Sequence, residues 1–293
     1  MLSTITLRGL ILLCGVFAGG LAWGGGVKEL FVADVPAFSG DPEDRDQALH
    51  DALAIVLQRV LVGDEIFSDA TVAKIMAQPV RFLLSESSTA THDPARRDSR
   101  ARRMRFHFDG DRLLDALKTS RWAIWNEIRP ETLLWLVIER GTSRQFFEPP
   151  SMPDWAEDVH RAAQQLGLPI RYPRFDTKER QQIDPGRILQ PSYAALLQSA
   201  ARYPVAAVLA GRLIDRQWCW ESQWRLYFDQ REYRWAGECA TSFETLLDGL
   251  GGVHRQLGRF YGVKPVYANA HVPIVPAKPA ASPAAHRSRK STR

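Results

Sequence analysis

Cysteine is scarce in this chain: three residues in 293, at Cys14, Cys219 and Cys239. That excludes a disulfide-dense scaffold and a cysteine-built zinc site. His50, His92, His107, His160, His254, His271 and His286 are scattered, and none pairs with another at ligand spacing. No nucleophile elbow, phosphate loop, dinucleotide fingerprint or zinc-protease helix occurs. The sequence therefore nominates no catalytic residue, no metal ligand and no cofactor. After the first 26 residues no apolar run reaches the about 20 residues that a membrane helix needs.

A basic face on the body is also missing. The net charge is +5 and the pI about 9.2. From Lys264 onward, however, there are six Lys/Arg and no acid, and Arg8 lies near the start. Without those two ends the body is mildly acidic, which argues against a nucleic-acid partner.

What is present at the start is a leader. In Met1–Gly26, Arg8 precedes an apolar run from Gly9 to Leu21, and small residues follow. This is the pattern of a secretory signal, with cleavage expected within Ala22–Gly26. Leu13 is bulky where a lipid-attachment site needs a small residue, so Cys14 is expected to leave with the leader. At the other end, residues 264–293 form a Pro/Ala tail with basic residues, expected to be disordered.

The pattern of the remainder predicts an α/β (α+β) protein of two packed halves with mixed sheets, residues 27–128 and 129–263. The first half reads β-α-α-β-β-α. ELFVADVPA is a strand, and Asp41 or Ser39 caps a helix whose stripe is Leu49, Ala52, Leu53, Val56, Leu57, Val60 and Leu61. Asp41, Glu43, Asp44 and Asp46 lack the spacing of a calcium loop and read as helix-start acids. Two strands then flank STATHDPARRDSRA, and Asp109 or Asp111 caps a third helix.

In the second half, TLLWLVIER and VAAVLAGRLI are apolar throughout and predict strands buried on both faces. Asp154 with Glu157 predicts a capping box for the helix Trp155–Leu166, while DTKERQQIDPGRILQ reads as loop. The end of the fold is a three-strand meander plus helix. Its last helix is expected to start at Ser242, with the stripe Leu246, Leu250, Val253, Leu257 and Phe260.

Two side-chain groups are candidates for contact. Arg96, Arg97, Arg100, Arg102 and Arg103, with Arg105, form the one basic cluster on the body and suit an anionic envelope surface such as phosphate-bearing lipid. Trp218, Trp220, Trp224 and Trp235 line one side of the last hairpin. They are expected as core beneath the last helix, with stacking on the sugar rings of a cell-wall polymer as the alternative. Parity places Cys219 and Cys239 on opposite faces of that hairpin, so they are expected as free thiols unless a bulge intervenes. A strict two-residue turn at Asp229–Gln230 would set Arg225 against Arg234, so a register shift of two is expected.

The leader, FVADVPAF, RDQALHDALAIVLQRVLVG, LLWLVIE and the closing VLAGRL…WRL…W…G…S occur in that order. In this the chain resembles the proteobacterial family catalogued as domain of unknown function 2066, over Val27 to Gly262. The resemblance implies an exported envelope protein and brings no catalytic residue. More loosely, the second half is similar to α/β domains of envelope accessory proteins. The expectation is a periplasmic, non-enzymatic interaction module that meets an envelope protein or anionic surface. The alternative is an envelope-polymer-binding protein or hydrolase with a cleft near the tryptophans.

Overall fold

The computed structural model describes residues 30–37, 41–90, 102–126 and 128–265. The expected leader, most of the tail, and Arg96, Arg97 and Arg100 lie outside the described residues. The fold is α+β. Its first half runs β1 (Val32–Ala37), α1 (Pro42–Val60), β2 (Leu61–Val62), α2 (Ala70–Met76), β3 (Leu83–Ala90), β4 (Arg102–Phe108), α3 (Gly110–Leu117) and β5 (Ala123–Ile124). Apart from the short β2 and β5, that is the order the sequence predicts.

β1, β4 and β3 make an antiparallel sheet in that spatial order. Helix α1 starts with Pro42 at its first position, beside Glu43 and Asp44, where the helix dipole favours acids. Its stripe of Leu49, Leu53, Val56, Leu57 and Val60 packs on Ala33, Val35, Phe106 and Phe108 of the sheet. Each such side chain, sealed from water, contributes about 1.5–3 kcal/mol. One face of the sheet is thus tied to the helix.

The second half runs β6 (Thr132–Arg140), β7 (Ser143–Phe146), α4 (Pro153–Leu166), β8 (Ile170–Arg171), α5 (Thr177–Gln182), α6 (Ala194–Ala200), β9 (Ala207–Asp215), β10 (Trp220–Phe228), β11 (Arg231–Ala240) and α7 (Ser242–Tyr261). The strands order as β11-β10-β9-β6-β7, with β8 also paired to β6. β6 and β9 run parallel and the hairpins antiparallel, so the sheet is mixed. On β6, Leu134, Leu136 and Ile138 face a core with α4 and α7. Leu133, Trp135 and Val137 face a second core with Phe175, Ile183 and Leu196. Both strands predicted to be buried on two faces divide these cores. The halves meet where α1 packs on α4 and where Val263, just past α7, bridges to Ile124.

Four local expectations are corrected. Helix α4 begins at Pro153 with Met152 as its cap residue, so Asp154 lies inside the first turn and makes no capping box. The last helix is capped by Thr241, which forms the reciprocal box with Glu244, and the Ser242 hydroxyl bonds Asp158 instead. TKERQQ is the short helix α5, capped by Asp176, where a loop was expected. The β10–β11 turn is the strict two-residue one, with Asp229 and Gln230 at φ 50° and 58°. Arg225 does face Arg234. The repulsion is relieved because Arg225 is buried and pairs with Glu232 while Arg234 points to solvent.

The cysteine expectation is also corrected, by the bulge it made conditional. Between Trp220 and Ser222 the pairing slips by one, so that Trp220 opposes Ala240 while Ser222 opposes Gly237. Beyond the slip, even residues oppose even and odd oppose odd. Cys219 and Cys239 therefore share a face, and they form a disulfide with Cα atoms 5.3 Å apart. Glu221 falls within the slip and pairs with Arg216 at 2.7 Å.

Candidate functional site

The face of the three-stranded sheet opposite α1 is polar. Outward on the central strand β4 stand Arg103, Arg105 and His107. Register places Thr89, Ser87 and Ser85 of β3 beside them on one flank and Pro36, Asp34 and Val32 of β1 on the other. The result is a column of three nitrogen bases bordered by a column of three hydroxyls. Arg105 makes a bidentate pair with Asp34 at 2.7 and 2.8 Å. That hydrogen bond from Arg105, opposed by partial burial, holds the Asp34 carboxyl below its usual range, with further help from the charges of Arg105 and Arg103. Arg103 is exposed. Arg102 lies on the other face and donates to the Ser88 hydroxyl at 2.8 Å.

Of the predicted basic cluster, then, Arg103 with Arg105 reaches one surface, and Arg102 does not share it. The hydroxyl column was missed. Its signal was the alternation in SESST once the strand is extended to Ala90.

The four tryptophans have four different settings. Trp224 is 2% exposed, its ring held between Gly211 of β9 and Gly249 of α7, where a Cβ on either glycine would collide with it. Trp235 lies under Gly252 of the same helix and is half-buried. Trp220 is half-buried edge-on against Trp155 of α4, centroids 4.8 Å apart, with the Arg140 guanidinium 5.4 Å above its ring. Trp218 precedes the strand and is 93% exposed. Trp155 was not foreseen, because nothing in the local pattern of α4 points to a partner on β10.

Between the halves lies a buried cationic junction. The Arg59 guanidinium donates to the carbonyls of Leu30 and Val32 at 2.9 and 2.8 Å. Arg129 donates to the carbonyls of Arg59 and Trp125, and its guanidinium stacks 3.9 Å from the Trp125 ring centroid. Burial, with repulsion from Arg59, lowers the Arg129 pKa to about 9. His254 bonds the Arg59 carbonyl through Nε2 at 3.0 Å, and burial pushes its pKa down to about 4. It is therefore neutral at physiological pH, with Nε2 as the donor. Arg255 pairs with Asp64 at 3.4 Å at the mouth of this junction. Depressions of about 310 and 220 Å³ adjoin that pair, one lined by Trp122, Glu65 and Arg259, the other by Phe67, Leu166 and Leu247.

A buried carboxylate sits on the far side of the central sheet. Glu179 accepts from the Phe175 N–H at 2.7 Å and from Ser199, Tyr203 and Arg202. Phe175 precedes α5, Ser199 lies in α6, and Arg202 and Tyr203 follow it. These contacts fasten α5 to α6 and satisfy the buried side chain.

The segment that carries the open sheet face also carries a likeness to known sequences. Residues 26–126 match the model of a family described as Domain of unknown function (DUF8605). An uncharacterised domain is thus present. The matched DUF8605 region takes in β1 through β5, hence the sheet, α1 to α3 and the Arg103 column. The match does not reach the family that the order of motifs suggested. No curated protein and no solved structure matches the chain.

Proposed function

We propose that this chain is an exported cell-envelope protein that works as a non-enzymatic docking module, with the open face of the DUF8605 sheet turned to an anionic surface. The observation that carries this reading is the Arg103–Arg105–His107 column, its arginines exposed and its histidine half-buried, beside three hydroxyls, a set of donors suited to phosphate oxygens. Two further features support export. The first 26 residues have the composition of a secretory signal. The Cys219–Cys239 disulfide suits an oxidising compartment, since cytosolic thiols are kept reduced. The buried titratable groups support a structural rather than catalytic role, because His254 and Glu179 are each committed to contacts that hold elements together. The likeness to domain of unknown function 2066, and with it a proteobacterial source, belongs to the same proposal and rests on the order of FVADVPAF, LLWLVIE and the closing hairpin.

Fractionation with a C-terminal tag checks the location. The proposal expects recovery outside the cytoplasm with the Met1–Gly26 segment removed and Cys219 and Cys239 oxidised. Full-length, reduced protein in the cytoplasm would contradict it. A second reading, binding or hydrolysis of an envelope polymer near the tryptophans, is favoured by one observation: the bare ring of Trp218.

A further inference from the structure

Trp218 stands at the tip of the connection between β9 and β10, and that connection is rigidly built. Its next neighbour, Cys219, is tied to Cys239 of β11. Asp215 accepts from the Gln217 N–H at 2.7 Å, and the Arg216 N–H bonds back to the Cys219 carbonyl at 3.0 Å. Gln217 holds a positive φ of 72° within this tight path. Two ion pairs brace the sides: Arg216 with Glu221 at 2.7 Å, and Arg140 with Asp215 at 3.3 Å. Trp220 anchors the base against Trp155. A large apolar ring, 93% exposed, is thus presented on backbone that has little freedom left to lose on binding.

From this turn we infer a stacking platform for a neutral, hydroxyl-rich polymer of pyranose rings, with Trp218 as the stacking surface and the flanking ion pairs as hydrogen-bonding rims. This deepens the second reading above and rests on it. The chemistry follows from three features. An indole ring left open to solvent offers its electron-rich face to the polarised C–H face of a sugar. Arg140 and Arg216 are balanced by Asp215 and Glu221, so the rim has no net charge to attract an anionic polymer or lipid. Those same groups, on the turn that carries Trp218 and on the neighbouring β6, offer donors and acceptors beside it, which suits hydroxyls and would be wasted on an apolar partner. Of the four tryptophans, Trp224 and Trp235 are taken up by α7 and Trp220 by Trp155, which leaves the platform to Trp218.

The test is titration of the full chain, disulfide intact, with soluble β-1,4-linked N-acetylglucosamine oligomers, followed by calorimetry and indole fluorescence. Wild-type protein is compared with Trp218→Ala, Trp218→Tyr and the double variant Cys219→Ser, Cys239→Ser. Because Trp218 is solvent-exposed, its replacement leaves the fold intact, and circular dichroism verifies that. The inference expects saturable binding, weakened about tenfold or more by Trp218→Ala and less by Trp218→Tyr. It also expects loss of affinity in the double variant, whose turn is loosened. Saturable binding that Trp218→Ala leaves unchanged would overturn the platform while sparing the polymer reading. No binding to the oligomers would overturn both. So would a Trp218-dependent partition into phosphatidylglycerol vesicles in their place, which would mark a membrane anchor.

Discussion

His254 is held neutral because its ring is sealed between α7 and the Arg59 carbonyl, close to the charges of Arg129 and Arg255. The consequence for stability has a definite sign. The folded pKa is about 4, below the value near 6.5 expected when the chain is unfolded. Above pH 6.5 neither state takes up the proton and the full stability is present. As the pH falls from there toward 4, only the unfolded chain protonates, and about 3 kcal/mol is lost before the effect levels off. Urea titrations between pH 8 and 4 should show this loss, and His254→Gln, which keeps an N–H for the carbonyl, should flatten the profile. An unaltered profile would mean that another group governs it. In the sequence this histidine directly follows Val253 of the predicted stripe. The arginines that surround it come from other segments, and no local pattern announces them.

Helix α7 shows how glycine serves packing at the scale of an element. Alanine in a helix interior is better than glycine by about 1 kcal/mol. At Gly249 a new Cβ would strike the Trp224 ring, which Gly211 already blocks from behind. Overpacking of this kind costs about 1–3 kcal/mol, so Gly249→Ala is expected to be net destabilising. At Gly251 only the far end of the Arg255 side chain lies near, at 3.5 Å. Gly251→Ala should therefore stabilise by up to about 1 kcal/mol. Chemical denaturation of the pair checks the contrast, and equal effects would refute the packing account.

The hairpin over which α7 lies makes a separate prediction. Cys219 and Cys239 close a loop with a sequence separation of 20, so replacing both with serine should cost about 2–4 kcal/mol. A denaturation midpoint unchanged by reduction would speak against the bond.

The same elements show what could be read in advance. Period-two apolar residues on β10, the continuous apolar run of β9 and the helical stripe of α7 showed what each turns inward, because burial imposes those patterns. Leu246, Leu250, Val253 and Leu257 are all fully buried as their spacing requires, whereas Phe260, the last residue of the expected stripe, is 56% exposed and meets Phe228 edge-on. The bulge at Trp220, on which the disulfide depends, leaves no mark in a pattern of alternation. Nor does the diagonal pairing of Arg225 with Glu232, which makes the tight turn tolerable despite Arg234 opposite. Caps are similarly fine-grained: Thr241 and Ser242 are chemically equivalent choices, and the chain direction into α7 decides between them.

For the whole molecule, charge location matters more than charge total. Among the described residues no helix is long and apolar enough to cross a membrane. The body is mildly acidic, yet the sequence from Arg96 to Arg105 is rich in arginine. Only Arg102 and Arg103 of the five arginines first nominated, together with Arg105, fall within the described residues, and they divide between two faces. Strand parity decides that division, and it was available from the sequence once β4 was placed.

Co-sedimentation with vesicles tests the docking proposal most directly, comparing phosphatidylglycerol-containing with purely zwitterionic vesicles at low and physiological salt. Each basic residue near an anionic surface contributes about 1 kcal/mol, screened by salt. The account expects binding to the anionic vesicles alone, reduced about tenfold or more when Arg103, Arg105 and His107 are changed to Gln. Equal binding to both kinds of vesicle, or binding that survives these substitutions, would contradict it.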